Sequence, residues 1–394
     1  LFMKLRRLLS LGLAVLMVLS LVACGKDTTP QNTATPAPSQ STNGSSNSSD
    51  SSNPSSPASG DEAYFEELIK AAKAEGELII YGSCEDPYIN AAAEAFQKKY
   101  GIKTSWQRLT GGEVQAKIEE EAGNPSADVW FGGTSDPQAV SASKGLLMKY
   151  EAKNAVHLID KKYRDPDGYW YGIYTGVMGF FYNMEELDRL GLDYPKDWND
   201  LLDPKYKGLI WFSNPNTAST AKLFLNATVQ MWGQEKAEEY WKAFDKNVYQ
   251  YTKSGGGPSK SVGIGECIIG IGFLHDAVYQ ISLGYDNIGM SIPASGTAAE
   301  VGAVSIFEGC KHPNAAKLFV EFALTPECVE LADDTGSFQF LVLDNAEQPK
   351  ILQNFDLSLD ACIDYDFADA KANTEARVNR FFEVVSADDR FKTE

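Results

Sequence analysis

The sequence contains few residues of the kinds that metal sites and catalytic sites use most. Of its 394 residues, three are histidine and six are cysteine, and no two cysteines have the C-x-x-C spacing, so a metal cage is disfavoured. It also lacks the H-E-x-x-H and G-x-S-x-G motifs of metalloproteases and serine hydrolases. We therefore predict a protein that is not an enzyme and that uses no cofactor.

Positive charge is also scarce. The chain has 35 Lys and Arg residues against 54 Asp and Glu residues, which gives a formal net charge of −19 at pH 7. Proteins that hold nucleic acid capture its phosphate backbone with clustered Lys and Arg side chains, and we find no such cluster. The charge balance therefore argues against a nucleic-acid partner, although it says little about a small ligand.

Large apolar side chains are missing just before the folded region. Nearly every residue from Gly25 to Gly60 is Ser, Thr, Pro, Asn, Gln or Gly, so this stretch cannot bury enough surface to offset its chain entropy. We predict a disordered tether over residues 24–60. A flexible coil of that length has a reach of about 30 Å, taking roughly 5 to 6 Å times the square root of the residue number.

Residues 1–23 are predicted to be a signal peptide. Three basic residues open this segment, and an apolar run from Leu8 to Leu21 follows that is shorter than the about 20 residues a membrane span needs. The run closes with L-V-A-C-G, which resembles the bacterial lipobox. The resemblance implies cleavage just before Cys24 and diacylation of that cysteine. The alternative is an ordinary signal peptide or an uncleaved anchor.

After the tether, helix patterns and strand patterns alternate with short turns between them. Such alternation builds sheets covered by helices on both faces, so we predict an α/β fold. Asp61 is expected to cap the first helix, and the next elements are predicted at 77–81, 88–101, 102–106, 113–121 and 127–131. Ligands of parallel sheets lie outside the carboxyl ends of the strands, so the turns after these strands are the first places to look for a site.

Four segments of the folded region carry a family resemblance. They are residues 127–150, 168–183, 195–215 and 311–327, which include the runs A-D-V-W-F-G-G and P-K-D-W-N-D-L-L. Together they resemble the substrate-binding proteins of bacterial ABC importers, in the branch whose members carry ferric iron, phosphonates, phosphoglycerate or hexose phosphates. The resemblance covers essentially the whole chain after the tether.

This resemblance implies an architecture and a set of partners. The architecture is a two-lobed type II periplasmic-binding-protein fold of the α/β class, with two crossing hinge strands near 171–179 and 292–302. The implied first lobe is 61–170 and 298–345, and the implied second lobe is 171–297 and 346–394. A small-molecule ligand is expected in the cleft between the lobes, the permease subunits of an ABC importer are the expected partners, and we predict a monomer.

An apolar run rich in glycine predicts a buried strand that ends in His275 and Asp276. Iron-carrying relatives have two adjacent tyrosines at the equivalent strand end, and this chain has no Tyr-Tyr pair. The His-Asp pair resembles instead the hexose-phosphate binders, in which this pair and a glutamate before the returning strand accept hydrogen bonds from sugar hydroxyls. Glu300 matches that glutamate, and carboxylates are strong acceptors for buried O–H groups. The alternative is that His275 and Asp276 cap the helix that follows.

A phosphate group would need hydrogen-bond donors instead. Helix N-termini provide unpaired N–H groups and a partial positive charge, which bind anions without a cationic side chain. Four turns rich in hydroxyl residues lead into predicted helices, and their candidate ligand-binding residues are Ser83, Thr134, Ser135, Asn214, Thr217, Ser219, Gly257 and Ser259. An ordinary helix cap is the alternative role for each of them. Tyr174, near the first crossing strand, is a candidate to stack on a sugar face.

These expectations combine into a solute receptor that is lipid-anchored at the extracellular face of the cell membrane. Its expected solute is small and phosphorylated, with a sugar phosphate or a phosphonate favoured. The alternatives are a polyamine or a metal ion as the solute, a sensor module for a membrane kinase, and, least favoured, a hydrolase that uses His275 and Asp276. A metal ion would need further ligands from scattered carboxylates such as Glu85 and Glu300.

Overall fold

The computed structural model of the chain describes residues 59–385 and 389–391. The predicted signal peptide, the predicted lipidation site Cys24 and most of the predicted tether lie outside the described residues. Within the described part, every helix is too short or too polar to cross a lipid bilayer.

Most of the strands are short, and three of the central ones are buried along their whole length, as expected where helices cover both faces of a sheet. They are β1 (Glu77–Gly82), β2 (Lys103–Arg108), β3 (Val129–Thr134), β4 (Leu147–Met148), β5 (Trp170–Asn183), β6 (Ile210–Ser213), β7 (Val248–Thr252), β8 (Ile269–Phe273), β9 (Ile288–Ser291), β10 (Ala299–Phe307) and β11 (Phe340–Leu341).

Local signals in the sequence set several helix ends. The side chain of Thr110 caps a helix together with Glu113 in a capping box, and Gly101 ends another helix with a left-handed φ of 70°. The helices are α1 (Ser59–Glu75), α2 (Asp86–Tyr100), α3 (Gly111–Glu120), α4 (Ser135–Ser143), α5 (Met184–Leu190), α6 (Ser219–Trp232), α7 (Gln234–Asp245), α8 (Gly257–Val262), α9 (Leu274–Ser282), α10 (Pro313–Ala323), α11 (Pro326–Val329), α12 (Leu331–Thr335) and α13 (Phe367–Val384).

The strands follow the order β2-β1-β3-β10-β5-β8-β6-β7. Strands β1, β2 and β3 are parallel to one another, and so are β6, β7 and β8. Strand β10 is antiparallel to both β3 and β5, and it joins the first parallel group to β5.

Strand β5 passes from one group of strands to the other. Its first half, as far as Val177, pairs with β10, and its second half from Met178 pairs with β8 and β9. The segment before β10 runs beside it, because Met178 donates its N–H to the carbonyl of Ala298 at 3.0 Å. Two chain segments therefore cross between the two halves of the molecule, and the predicted α/β fold with two crossing strands is confirmed.

Two hydrophobic cores lie on either side of these crossings. The first core contains the fully buried side chains Trp130, Phe131 and Phe319, and it is built on β1, β3 and β10. The second core contains Trp198 and Trp241 and is built on β6, β8 and the second half of β5. We call the regions around these cores the first lobe and the second lobe.

Some predicted boundaries differ from the structure. Asp61 lies inside α1, which begins at Ser59, so it does not cap this helix, although its charge in the first turn still favours the helix N-terminus. The predicted tether, which ran to residue 60, therefore overlaps α1. Helix α3 begins at Gly111 and not at Glu113, because Thr110 supplies the capping side chain.

Candidate ligand-binding site

A cavity lies between the two cores. Its volume is about 60 Å³, and part of it is open to solvent. Its walls are formed by Ser83, Cys84, Glu85, Arg108, Thr110, Gly111, Gly133, Tyr174, Ala218, Ser219, Thr220, Ser254, Gly255, Gly256, Phe273, His275, Asp276, Glu300 and Gln339.

The parallel strands position most of these residues. Arg108 is the last residue of β2, Ser83 follows β1, and Gly133 is the second-last residue of β3. In the second lobe, His275 follows the end of β8. The cavity therefore forms at the carboxyl ends of parallel strands, where open α/β sheets usually bind their ligands.

His275 is a neutral, buried side chain. It is 6% exposed, and burial lowers the pKa of the imidazole to about 3. Its Nε2 lies 3.6 Å from Oδ1 of Asp276 and 3.6 Å from Oε1 of Glu300, which is beyond ordinary hydrogen-bond range. The ring therefore presents Nε2 to two carboxyl groups without a hydrogen bond to either.

A glycine on β5 makes room for this ring. A Cβ atom on Gly176 would lie 2.4 Å from Nδ1 of His275 and 3.3 Å from Oε1 of Glu300. The capping alternative for the His-Asp pair has no support, because the N-cap residue of α9 is Phe273 and no side chain caps this helix. His275 instead stacks on the ring of Phe273 with the centroids 5.6 Å apart.

Three carboxyl groups share the same cavity. Burial, with a smaller contribution from Asp276, raises the pKa of Glu300 well above its ordinary value. Burial and the nearby Glu85 raise the pKa of Asp276 to about 7, partly offset by Lys260 and Arg108. Such groups are poorly solvated, so a hydroxyl or ammonium group of a ligand would stabilise their charged forms.

The beginnings of two helices provide the opposite chemistry. Thr110 and Gly111 at the start of α3 and Ser219 at the start of α6 line the cavity. The N-cap residue of α6 is Ala218, so no side chain caps the first N–H groups of this helix. Arg108 adds a guanidinium group to the same cavity wall. An anion can be bound at this end by backbone N–H groups, the helix dipoles and one cation.

Six of the predicted ligand-binding residues line this cavity: Ser83, Tyr174, Ser219, His275, Asp276 and Glu300. Ser83 accepts a hydrogen bond from Nε1 of Trp130 at 2.9 Å, and Tyr174 accepts one from the N–H of Gly133 at 2.9 Å. The second bond fixes the Tyr174 ring in the cavity wall, where it is 2% exposed. The structure brings these side chains together, and their contact with a ligand remains a prediction.

The turn before α4 differs from the prediction. Thr134 and Ser135 are 2% and 1% exposed, and neither lines the cavity. Their neighbour Gly133 lines it instead, because the chain turns into α4 directly afterwards.

Asn214 and Thr217 also lie outside the cavity wall and serve the chain before α6. The Oδ1 atom of Asn214 accepts the N–H of Asn216 at 2.9 Å, and the hydroxyl of Thr217 donates to the carbonyl of Lys253 at 2.7 Å. Both side chains therefore have local structural partners.

Gly257 and Ser259 belong to α8 and do not line the cavity. The hydroxyl of Ser259 donates to the carbonyl of Gly256 at 3.0 Å. The preceding residues Ser254, Gly255 and Gly256 occupy the cavity wall, because α8 already begins at the last glycine of the run, Gly257.

Several wall residues were not predicted from the sequence. Arg108 and Thr110 could have been predicted from the rule that ligands lie at the carboxyl ends of parallel strands, because β2 is parallel to β1 and ends at the same edge. The T-x-x-E spacing of Thr110 and Glu113 is a capping-box signal that would have marked the helix start there. Gln339 lies in a loop without any local signal.

The described residues give no support for a bound metal ion. Among the described residues, no group of three or more His, Cys, Asp and Glu side chains is arranged to hold a metal ion. The other two histidines pair with aspartates elsewhere: His157 with Asp344 at 3.0 Å and His312 with Asp128 at 2.9 Å.

The chain is similar in sequence to a family of solute-binding proteins. Residues 124–367 match the family described as bacterial extracellular solute-binding protein. An uncharacterised protein of Haemophilus influenzae is 41% identical over 303 residues, which is 75% of this chain and 86% of that protein. The periplasmic binding protein AfuA of Actinobacillus pleuropneumoniae, solved with fructose 6-phosphate bound, has a TM-score of 0.74 and 40% identity over 78% of this chain and 98% of that chain.

Two more distant relatives have names that include a ligand. A putative 2-aminoethylphosphonate-binding periplasmic protein of Salmonella typhimurium is 23% identical over 59% of this chain and 68% of that protein. A putrescine/cadaverine-binding protein of Pseudomonas aeruginosa is 24% identical over 59% of this chain and 76% of that protein. With the match of the family over most of the folded region, these similarities lead to one conclusion: the chain belongs to the bacterial extracellular solute-binding proteins.

Proposed function

We propose that this chain is the lipid-anchored solute-binding component of an ABC importer and that it binds a small phosphorylated solute, a sugar phosphate or a phosphonate, in the cavity between its lobes. It carries out no reaction on the solute. Because the solute would contact both lobes, its binding favours the closed arrangement, and the permease subunits then receive the solute from this form.

The proposal depends on one feature of the cavity: its two ends have opposite hydrogen-bonding character. The starts of α3 and α6, with Arg108, offer donors to a phosphate group. Asp276 and Glu300 offer acceptors to hydroxyl groups at the other end. A phosphorylated polyol carries both kinds of group on one small molecule.

Two relatives support this class of solute. The structure of AfuA, which shares 40% identity with this chain, contains fructose 6-phosphate, and the Salmonella relative is named for a phosphonate. Both solutes combine a tetrahedral phosphorus oxyanion with a second polar group, which matches the two-ended chemistry of the cavity.

The direct test is isothermal titration calorimetry of the purified protein with fructose 6-phosphate, glucose 6-phosphate, 2-aminoethylphosphonate and 3-phosphoglycerate. Fructose without the phosphate serves as the matched control for the sugar phosphates. We expect saturable binding of at least one phosphorylated solute and none of fructose at the same concentration. Absence of heat with all four phosphorylated solutes would contradict the proposal.

A polyamine is the second candidate solute. Glu85, Asp276 and Glu300 place three carboxyl groups in one cavity, which suits ammonium groups, and one relative is named for putrescine and cadaverine. Titration with putrescine separates the two candidates. If putrescine binds saturably and none of the phosphorylated solutes binds, the polyamine becomes the favoured solute and the main proposal is wrong.

The membrane anchor is a separate part of the proposal and rests on the resemblance of the segment before Cys24 to a lipobox. A diacylated protein enters the detergent phase of a cloud-point extraction with Triton X-114. We expect the full-length protein, expressed in a bacterium with lipoprotein processing, to enter that phase and Cys24→Ser to remain in the aqueous phase. Equal partition of both would contradict the anchor.

A further inference from the structure

The glycine-rich turn of the second lobe, Ser254–Gly257, has a lysine on each side. Lys253 precedes it, and Lys260 follows it in α8. The turn supplies Ser254, Gly255 and Gly256 to the cavity wall, whereas the two lysines lie outside the wall. The proposed function assigns no role to either lysine.

Both lysines form ion pairs with the first lobe. Nζ of Lys253 lies 2.6 Å from Oε1 of Glu113, and Nζ of Lys260 lies 3.1 Å from Oε2 of Glu85. Glu113 belongs to the first turn of α3, and Glu85 is the N-cap residue of α2. Each pair therefore connects the second lobe to the start of a first-lobe helix at the edge of the cavity.

A third contact joins the turn itself to the first lobe. Nη2 of Arg108 lies 3.3 Å from Oγ of Ser254. The backbone of Gly256 also lies close to carboxyl groups of both lobes. A Cβ atom there would lie 3.4 Å from Oε1 of Glu85 in the first lobe and 3.6 Å from Oδ2 of Asp276 in the second lobe. The turn is thus held over the cavity from both of its ends.

We propose that Lys253 and Lys260 are positioning residues for solute capture, which hold the glycine-rich turn of the second lobe against the first lobe when the lobes close over the solute. They act through the backbone of the turn and make no contact with the solute. This inference rests on the proposed function, since it assigns the closing contacts of the same cavity.

The size of the effect follows from the exposure of these pairs. Both lysine side chains are 52% exposed, so water and salt screen the two interactions, and one pair alone changes affinity by no more than about fivefold. Reversal of both lysine charges replaces two attractions by two repulsions. We expect a loss of affinity of roughly tenfold, which shrinks as the salt concentration rises, because the Debye length falls from about 10 Å at 0.1 M to about 3 Å at 1 M.

The test compares the double variant Lys253→Glu/Lys260→Glu with the conservative variant Lys253→Arg/Lys260→Arg. Lys103→Glu is the matched control, because Lys103 pairs with Glu77 at 2.7 Å within the first lobe. Changes at Glu113 are avoided, since this residue also completes the capping box of α3. Three quantities are measured: the dissociation constant of fructose 6-phosphate, its dissociation rate, and the hydrogen exchange of the backbone amides of residues 254–257 and 259 without solute.

We expect the Glu variant to bind about tenfold more weakly at 0.1 M salt, through faster dissociation, and to exchange the turn amides faster. The Arg variant and Lys103→Glu stay within about twofold of the unmodified protein. Two results would overturn the inference. One is a Glu variant whose affinity and amide exchange are both unchanged, and the other is an Arg variant that loses as much affinity as the Glu variant. If fructose 6-phosphate fails to bind the unmodified protein, the sugar-phosphate proposal loses support, while the exchange measurement still decides the role of the lysines.

Discussion

Oε1 of Glu300 lies 3.6 Å from Nε2 of His275, so a carboxyl group of the returning strand β10 and an imidazole of the second lobe face each other across one part of the cavity. Neither residue is more than 6% exposed. A solute hydroxyl that approaches both groups would donate its proton to the carboxylate and accept a hydrogen bond from Nε2–H of the ring. The account of the acceptor end of the cavity depends on this relationship.

Glu300→Gln should weaken the binding of a sugar phosphate. The amide keeps the shape of the side chain, but it cannot ionise when a solute hydroxyl donates to it, whereas the carboxyl group of Glu300 can; hydrogen bonds to charged groups contribute about 1.5 to 3 kcal/mol. We expect the dissociation constant to rise roughly tenfold to a hundredfold by calorimetry. Glu308→Gln, on the exposed turn after the same strand, is the control and should leave the constant unchanged. If Glu300→Gln and the control have equal dissociation constants, Glu300 does not contribute to solute binding.

Gly176→Ala should act through His275. The new methyl group would lie 2.4 Å from Nδ1 of His275, so the ring must move away from residue 176, at a cost of about 1 to 3 kcal/mol. We expect weaker solute binding and a lower melting temperature. In a double-mutant cycle, Gly176→Ala should have almost no further effect on affinity once His275→Ala is present. Additive losses in the double variant would show that the glycine acts on something other than this ring.

The pH dependence of stability should report the burial of Asp276. Its pKa is raised from 3.8 to about 7, so the folded protein holds this proton more tightly than the unfolded chain does. The contribution of Asp276 to stability is therefore complete below about pH 4 and is lost as the pH rises through 7. Asp276→Asn cannot lose a proton there, and its stability relative to the unmodified protein should increase between pH 4 and 8 by on the order of 2 to 4 kcal/mol.

Asp136→Asn provides a comparison outside the cavity wall. Burial raises the pKa of Asp136 from 3.8 to about 6, so the gain in relative stability should begin at the same pH as for Asp276, end near pH 6 and be smaller by about 1.4 kcal/mol. Both differences are measured from chemical denaturation of the solute-free protein at a series of pH values. A difference that stays constant from pH 4 to 8 for Asp276→Asn would mean that this carboxyl group is solvated in the solute-free protein.

Gly112→Ala should interfere with closure of the lobes. A Cβ atom on this first-lobe residue would lie 2.8 Å from the carbonyl oxygens of Asn216 and Thr217 in the second lobe, and backbone atoms cannot rotate away as a side chain can. The overlap would cost about 1 to 3 kcal/mol in the closed form, so affinity should fall roughly fivefold to a hundredfold. Small-angle X-ray scattering should show that saturating solute compacts the unmodified protein more than the variant. Equal compaction and equal affinity would contradict this contact.

Much of the fold was predictable, because it follows from local periodicity and a general rule of topology. The alternation of strands and helices gave the α/β class, and the rule that ligands lie at the carboxyl ends of parallel strands placed Ser83, His275 and Asp276 at the cavity. Glu300 was assigned from family resemblance, and the structure places it 3.6 Å from His275.

The rest of the site depends on the exact point at which each turn becomes a helix and on contacts between the lobes. Helix α8 begins at Gly257, so the cavity is lined by the residues before it, and hydroxyl composition could not locate that boundary. Arg108 reaches Ser254 across 146 positions of sequence, and Gln339 enters the wall from a loop. No local pattern encodes such proximity.

The central claim is that one solute molecule is bound with its phosphate at the starts of α3 and α6 and its hydroxyl groups at Asp276 and Glu300. A crystal structure of the protein with fructose 6-phosphate tests it most directly. We predict phosphate oxygens within about 3 Å of backbone N–H groups near Gly111 and Ser219, and sugar hydroxyls at the same distance from both carboxyl groups. A sugar phosphate bound in the reverse orientation, or outside this cavity, would contradict the account.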